Sequence, residues 1–196
     1  MPSDPTILAF DTSAAHCAAA LLRGGVIAVS RVEGMARGQA ERLMPLLQEV
    51  LTEAGCVWAD LDAIGVGIGP GNFTGIRISV SAARGLALGL GVPAVGVSGF
   101  DALIELAEAG QLPAIPAPRE QVYVQLPGTG PCLLPLDEAE KHGPLYVCPD
   151  PALQIQAVAR LAAKRWHSVS APPAPLYVRP ADAAPSRDVP PVLLDQ

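Results

Sequence analysis

A glycine-rich segment at residues 69–77 constrains the fold of this chain more than any other part of the sequence. It reads Gly-Pro-Gly-Asn-Phe-Thr-Gly-Ile-Arg, follows an apolar run at residues 61–68 and precedes a small-residue helical pattern that continues to about Leu90. The segment is therefore predicted to turn a buried strand into a helix, because such turns need glycine for positive φ or close backbone approach. It has neither the Gly-Lys-Ser/Thr ending of a P-loop nor the spacing of a dinucleotide-binding fingerprint.

Two interpretations of this turn stay open. The free N–H groups at the start of the helix are suited to binding an anion, but a tight strand-to-helix turn needs the glycines even when nothing binds. Thr74 is a candidate cap of the helix, and Arg77 stands in the first helical turn, where the helix dipole disfavours a cation. Arg77 is therefore expected to have an anionic partner, a carboxylate either in this chain or in a partner chain. The residues of this structural or anion-binding turn are Gly69, Gly71, Thr74, Gly75 and Arg77.

Hydrophobic periodicity predicts three strands followed by alternating helices and strands over the first 110 residues. Gly24 and Gly25 separate two alternating runs, as in a hairpin, Gly55 ends the first helix, and Ser98 caps the third. This order favours a mixed sheet covered by helices. The predicted elements are strands at 6–11, 16–23 and 25–32, a helix at 39–54, a strand at 61–68, a helix at 74–90, a strand at 93–97 and a helix at 99–109.

The second half of the chain has weaker patterns. Residues 111–119 contain three prolines and are predicted to form a linker, a strand is expected at 122–126 and a helix at 155–165, and residues 127–151 are left unassigned. The proline-rich tail is expected to run over the surface. The resulting domain prediction is an N-terminal lobe at 1–110, a reduced second lobe at 111–171 and a tail at 172–196.

The composition and charge of the chain argue against several classes of function. The net charge of −6 over 196 residues argues against binding of nucleic acid by the chain alone, and 50% hydrophobic residues with only 16% charged ones suggest a surface that a partner covers. No uncharged stretch resembles a membrane span. The four cysteines and three histidines are scattered without metal-ligand spacing, which predicts reduced thiols, a cytoplasmic protein and no metal site.

Two further motifs accompany the glycine-rich segment. Residues 7–13 read Ile-Leu-Ala-Phe-Asp-Thr-Ser, and residues 40–47 read Ala-Glu-Arg-Leu-Met-Pro-Leu-Leu. Together with residues 69–77 they resemble the bacterial TsaB family, also called YeaZ, whose members help make threonylcarbamoyladenosine in tRNA. The resemblance is dense from residue 6 to about 105 and returns at 175–182, which matches the family's closing Tyr-x-Arg segment.

The resemblance implies both a fold and a function. The fold would be the α/β fold of actin, hexokinase and Hsp70, with a complete N-terminal lobe and a reduced C-terminal lobe. The chain would be a non-catalytic partner that docks and activates TsaD in the complex, joined by TsaE, that transfers a threonylcarbamoyl group to adenosine in the tRNA anticodon loop. The chain itself would hold no cofactor, ATP and a metal ion would bind the partner subunits, and tRNA would be met only through the complex.

An acid and two hydroxyls at residues 11–13 stand where actin-like ATPases place their first phosphate loop. Asp11, Thr12 and Ser13 are therefore either a vestigial nucleotide site or a local turn in which the carboxylate bonds nearby amides. The resemblance implies an acid on a second phosphate loop, and this chain has Pro116 at that position. Nucleotide binding is thus expected to be weak or absent.

The residues predicted to meet a partner lie on the first two helices. TsaD binds metal through two histidines on the helix that corresponds to residues 39–54, whereas this chain has Gln39 and Glu41 there. The apolar arc of this helix is wider than one sheet contact requires, so part of it is expected to pair with TsaD or with a second copy in a homodimer. The predicted interface consists of Glu41, Leu43, Met44, Leu47, Leu51, Ile76, Ser79, Val80 and Ala83.

An alternative of another class is an active enzyme, either an actin-like ATPase or a metallopeptidase. A peptidase lacks histidine ligands and an evident nucleophile with a base, and an ATPase lacks the second-loop acid. No catalytic residue is therefore predicted in this chain.

Overall fold

The computed structural model describes residues 4–178. Its first sheet has five strands in the order β3-β2-β1-β4-β5, with β1 antiparallel to β2 and parallel to β4. All five residues of β1 are buried, as the continuous apolar run predicts for a central strand. The strands are β1 (Ile7–Asp11), β2 (His16–Arg23), β3 (Val26–Gly34), β4 (Ala63–Gly67) and β5 (Ala94–Val97).

The second sheet has four strands in the order β8-β7-β6-β9. Strand β7 pairs antiparallel with β6 and β8, whereas β9 pairs parallel with β6 through two residues. A small core lies against it, built from Ala114, Val122, Val124 and Ala139. The strands are β6 (Leu112–Ala117), β7 (Gln121–Gln125), β8 (Pro131–Pro135) and β9 (Leu145–Tyr146).

Helices cover both faces of the first sheet, which makes it the middle of three layers. Helices α1 and α2 lie on one face over Leu8, Phe10 and Ile64, while α3 and α5 lie on the other over Ile7, Ala9 and Val95. None of the helices described is long and apolar enough to span a membrane. The helices are α1 (Gln39–Glu53), α2 (Phe73–Leu90), α3 (Gly99–Leu106), α4 (Leu136–Ala139) and α5 (Pro151–Arg165).

The linker predicted at residues 111–119 is wrong, because strand β6 occupies most of it. Pro113 pairs with Tyr146, and Pro116 pairs with Val122. Strand β9 reaches only to Pro113, so one edge of β6 is open beside Pro116. A strand with an open edge tolerates proline, which cannot donate to the ladder.

The chain crosses between the lobes twice. Helix α5 lies in the segment predicted as the second lobe, yet it packs against β1, β2 and β4 of the first sheet. The packing is close: a Cβ on Gly65 would stand 3.0 Å from the Cβ of Ala162 and 3.1 Å from that of Ala9. The domain boundaries at residues 110 and 171 stay a prediction, and the tail beyond residue 178 lies outside the described part of the chain.

The α/β class predicted from the sequence is confirmed, because helices cover both faces of a mixed five-stranded sheet. The meander β1–β3 followed by alternating helices and strands forms the first lobe, and the second lobe is reduced to a small sheet with one short helix.

Candidate functional site: an apolar cleft beside the glycine-rich turn

A cleft of about 780 Å³ opens between the glycine-rich turn and the second sheet. The β1–β2 turn forms one wall, the start of α2 another, and residues 116–118 with Tyr123 the third. No charged residue is among those lining it within residues 4–178. The lining residues are Ser13, Ala14, Ala15, Ala36, Gln39, Pro70, Gly71, Asn72, Phe73, Ile76, Pro116, Ala117, Pro118, Tyr123, Leu176, Tyr177 and Val178.

The carboxylate of Asp11 is hydrogen-bonded within its own loop. One of its oxygens accepts hydrogen bonds from the Ser13 N–H at 2.6 Å and the Ser13 hydroxyl at 2.7 Å. The other lies over the Cα of Gly67, where a Cβ would overlap it. This is the local turn that the sequence left as one alternative. Asp11 does not line the cleft but borders a small space beneath α5.

His16 is a neighbour of Asp11 that the sequence did not single out. Its Nε2 lies 3.5 Å from the Asp11 carboxylate. The histidine stands at the start of β2, which pairs antiparallel with β1 and so returns the chain past Asp11. The signal was present in the predicted hairpin, because strands that pair through a short turn bring their adjoining ends together.

The loop that follows β1 and the glycine-rich turn before α2 are in direct contact through their backbones. Thr12 is fully buried, and its hydroxyl donates to the Gly75 carbonyl at 2.6 Å. The Asn72 N–H donates to the Ser13 carbonyl at 2.6 Å. A Cβ on Gly75 or Gly71 would overlap the carbonyl oxygen of Thr12 or Ser13 respectively. The glycines are thus required by close approach between loops.

Asn72 caps helix α2, so the predicted cap at Thr74 is wrong. The Asn72 side chain accepts a hydrogen bond from the Gly75 N–H at 2.8 Å. The helix begins at Phe73, which places Thr74 inside the first turn, with its side chain exposed. The N-cap must precede the first helical residue.

Arg77 has aromatic partners that the sequence analysis missed. Its guanidinium lies 3.9 Å from the centre of the Phe73 ring, and its Nε donates to the Tyr177 hydroxyl at 2.9 Å. The Tyr177 ring packs 4.8 Å from that of Phe73. No ion pair to Arg77 occurs in the part of the chain that the structure describes, so of the two expected anionic partners only a carboxylate of a partner chain stays a prediction. Only the closing Tyr-x-Arg motif pointed to Tyr177, and sequence spacing does not reveal a contact across 100 residues.

The protein has charged and thiol groups near α1, away from the cleft. Arg42 donates two hydrogen bonds to each of Glu33 and Glu49, and so joins β3 to α1. Its guanidinium holds the pKa of both carboxyls below their usual range. Burial, aided by the charge of Glu33, raises the pKa of the Cys17 thiol to about 11. Burial likewise raises the pKa of the Cys56 thiol.

Comparisons with family models and solved structures identify the family of this chain. A family model described as TsaD, tRNA N6-adenosine threonylcarbamoyltransferase, matches residues 22–128. The solved structure of YeaZ from Pseudomonas aeruginosa superposes with a TM-score of 0.71 at 30% identity, over 88% of this chain and 99% of that one. The chain belongs to the TsaB (YeaZ) family.

Other relatives support this assignment. The tRNA threonylcarbamoyladenosine biosynthesis protein TsaB of Escherichia coli is 41% identical over 47% of this chain and 39% of its own length. An uncharacterized protein of Mycobacterium tuberculosis is 34% identical over 92% of this chain and 94% of its own length. The match to the Escherichia coli TsaB is thus confined to about half of this chain, whereas the mycobacterial relative aligns over nearly all of it.

Most of the interface residues predicted from the sequence are buried in the TsaB-family chain itself. Seven of the nine are at most 3% exposed, and only Glu41 and Met44 face solvent. The apolar stripe of each helix is the face that packs on the sheet, so it is not available to a partner. The seven buried residues are Leu43, Leu47, Leu51, Ile76, Ser79, Val80 and Ala83.

The exposed surface of the same two helices is different. On α1 it includes Glu41 and Met44, which is 42% exposed; on α2 it includes Gly85 and Leu88, which is 85% exposed. Both helices cover the same face of the first sheet. Their outward faces therefore form one surface, here called the α1/α2 surface.

The described residues contain no group of three or more His, Cys, Asp or Glu side chains that could hold a metal ion. Gln39 lines the cleft, and Glu41 is exposed on the next residue but one of α1. One carboxylate and one amide are a poor donor set for a catalytic metal.

Proposed function

We propose that this chain is a non-catalytic subunit in the synthesis of threonylcarbamoyladenosine in tRNA, and that it docks and activates a TsaD-type transferase. One observation carries the proposal: the described residues that line the cleft are uncharged, and the carboxylate of Asp11, which does not line it, is bonded within its own loop. Pro116, the residue at the second-loop position, lines the cleft without a charge. The described lining residues therefore offer a phosphate group no cationic side chain, and no carboxylate among them faces the cleft to hold a nucleotide's magnesium ion.

The α1/α2 surface is the proposed docking surface. It carries exposed apolar side chains at Met44 and Leu88, and the small residues Gly85 and Gly89 allow another helix to approach closely. Large apolar residues at the centre of an interface dominate its binding energy. TsaE and a second copy of this chain are further proposed partners, and ATP and a metal ion would bind the partner subunits.

The test of docking is Leu88→Arg, with Ile104→Arg as the matched control. Ile104 is also an exposed apolar residue on a helix, 62% exposed, but it lies on α3 on the opposite face of the sheet. Leu88→Arg should weaken association with the TsaD-type protein of the same organism at least tenfold, because a charge is stranded in the contact. Isothermal titration calorimetry with circular dichroism on each variant measures this. Unchanged affinity in a folded Leu88→Arg variant would show that the docking surface is wrong.

The variants Leu47→Glu and Ser79→Arg, at two residues of the interface predicted from the sequence, do not test docking. Both residues are fully buried in the monomer. A charge there would be stranded in the core and would unfold the chain.

Nucleotide binding separates the partner role from an ATPase. The isolated chain should bind magnesium–ATP weakly or not at all. A calorimetric titration that gave low-micromolar affinity, lost in Asp11→Ala, would instead favour the actin-like ATPase.

A further inference from the structure

The cleft has an uncharged lining rich in aromatic side chains. Three aromatic rings, Phe73, Tyr123 and Tyr177, line it together with alanines and prolines. Grooves lined by aromatic side chains recognise proline-rich segments, because these are extended before binding and lose little conformational entropy. The absence of charge among the lining residues described favours a peptide whose contacting part is also uncharged.

The chain already places one proline-rich stretch of its own on this surface. Pro173 packs against Gly96, and the Leu176 N–H donates to the Ile68 carbonyl at 2.8 Å. Tyr177 is held by Arg77 and Phe73. This track leads to the cleft, because Leu176, Tyr177 and Val178 form part of its wall.

The residues that follow Val178 have the matching chemistry. Residues 179–196 contain four prolines, and residues 189–194 read Val-Pro-Pro-Val-Leu-Leu without a charge. About ten residues separate Val178 from this run, which corresponds to a reach of up to about 35 Å at roughly 3.5 Å per residue. Tethering also raises the local concentration of the run beside the cleft.

We propose that the cleft is a peptide-binding groove whose occupant is this chain's own segment 189–194. The binding is intramolecular and involves no nucleotide. The proposal is independent of docking at the α1/α2 surface, because it is tested on this chain alone.

Fluorine NMR of the full chain labelled with 3-fluorotyrosine tests the proposal. The chain has three tyrosines: Tyr123 and Tyr177 line the cleft, and Tyr146 lies on β9 away from it. The variant Leu193→Asp/Leu194→Asp should shift the signals of Tyr123 and Tyr177 and leave that of Tyr146 unchanged. The control variant Ala183→Asp/Ala184→Asp adds the same charge outside the run and should shift none of the three.

Two additions make the result decisive. Ala15→Arg, which places a large side chain on the cleft wall, should shift Tyr123 as the tail variant does. A synthetic peptide of residues 186–196 should return both signals of the tail variant toward their wild-type positions in a saturable way. Unchanged Tyr123 and Tyr177 signals in the tail variant, or equal shifts in the control variant, overturn the proposal. Wild-type signals that move with protein concentration overturn it too, because the occupant is then the segment of a second copy.

Discussion

Gly75 determines the shape of the turn because it has no Cβ atom. Its Cα approaches the Thr12 carbonyl so closely that no Cβ fits, while the Thr12 hydroxyl donates to the Gly75 carbonyl. The loop that follows β1 and the start of α2 are thus held in contact from both sides. Sequence spacing predicted a tight turn here but could not show what the turn packs against, because that neighbour is 63 residues away.

Gly75→Ala should destabilise the chain by at least about 1–3 kcal/mol, since a backbone carbonyl cannot move away as a side chain can. The matched control is Gly85→Ala on the same helix, where an added Cβ meets no described atom within 4 Å. That control should stabilise by about 0.5–1 kcal/mol through helix propensity. Urea denaturation of both variants measures the difference. Equal stability of the two variants would contradict the account of the turn.

The ion pairs of Arg42 make the stability of the folded chain depend on pH. Its guanidinium lowers the folded-state pKa of Glu33 and Glu49 below 4.5, their ordinary value. Carboxyls with a lowered folded pKa contribute stability that is fully present above the ordinary pKa and lost as the pH falls through the folded pKa. Arg42→Met should therefore lower the melting temperature at pH 7 and lower it less at about pH 3, where a larger share of the two carboxyls is protonated.

The control for this pH dependence is Arg84→Met. Arg84 is an exposed arginine that forms no ion pair within residues 4–178. Its substitution should change the melting temperature little at either pH. Thermal melts followed by circular dichroism compare the three proteins. An Arg42→Met effect of the same size at both pH values would show that the arginine acts through packing and not through its ion pairs.

At the scale of elements, the first lobe was largely predictable and the second half of the chain only in part. The strand expected at 122–126 is β7 and the helix expected at 155–165 is most of α5, whereas β6, β8 and β9 were not predicted. Alternation and apolar runs located β1 to β5, and helical periodicity located α1 and α2, because each element buries one face and so has a regular pattern. Strand β6 was missed in the sequence analysis, because its prolines are typical of a linker. The two helices were placed correctly, but their buried stripe was mistaken for a docking face, since periodicity identifies an apolar face without saying what covers it.

Helix α5 packs so closely on the first sheet that its small residues are essential. Ala162 stands against Gly65 and Ala9, and all three lack bulk where helix and sheet meet. Ala162→Leu should cost about 1–3 kcal/mol through overpacking, whereas Ala162→Ser, nearly equal in volume, should cost less. Chemical denaturation measures both. A Leu variant as stable as the wild type would show that α5 can move away from the sheet.

At the scale of the whole molecule, the acidic charge limits what the chain binds alone. Its net charge of −6 opposes binding to the phosphates of a nucleic acid. The isolated chain should show no tRNA binding at physiological salt in a fluorescence anisotropy titration. The same titration with the TsaD-type partner present is the control for a competent tRNA. Tight binding by the chain alone that weakens steeply with salt would contradict this prediction.

The position of α5 late in the chain also affects folding during synthesis. One face of the central sheet stays bare until residues 151–165 have been synthesised, because α5 is the main element that covers it. The first lobe therefore cannot complete its folding as it leaves the ribosome, although its strands and first three helices are encoded within the first 106 residues. A nascent chain halted near residue 110 would expose apolar sheet surface, and such surface is prone to aggregation.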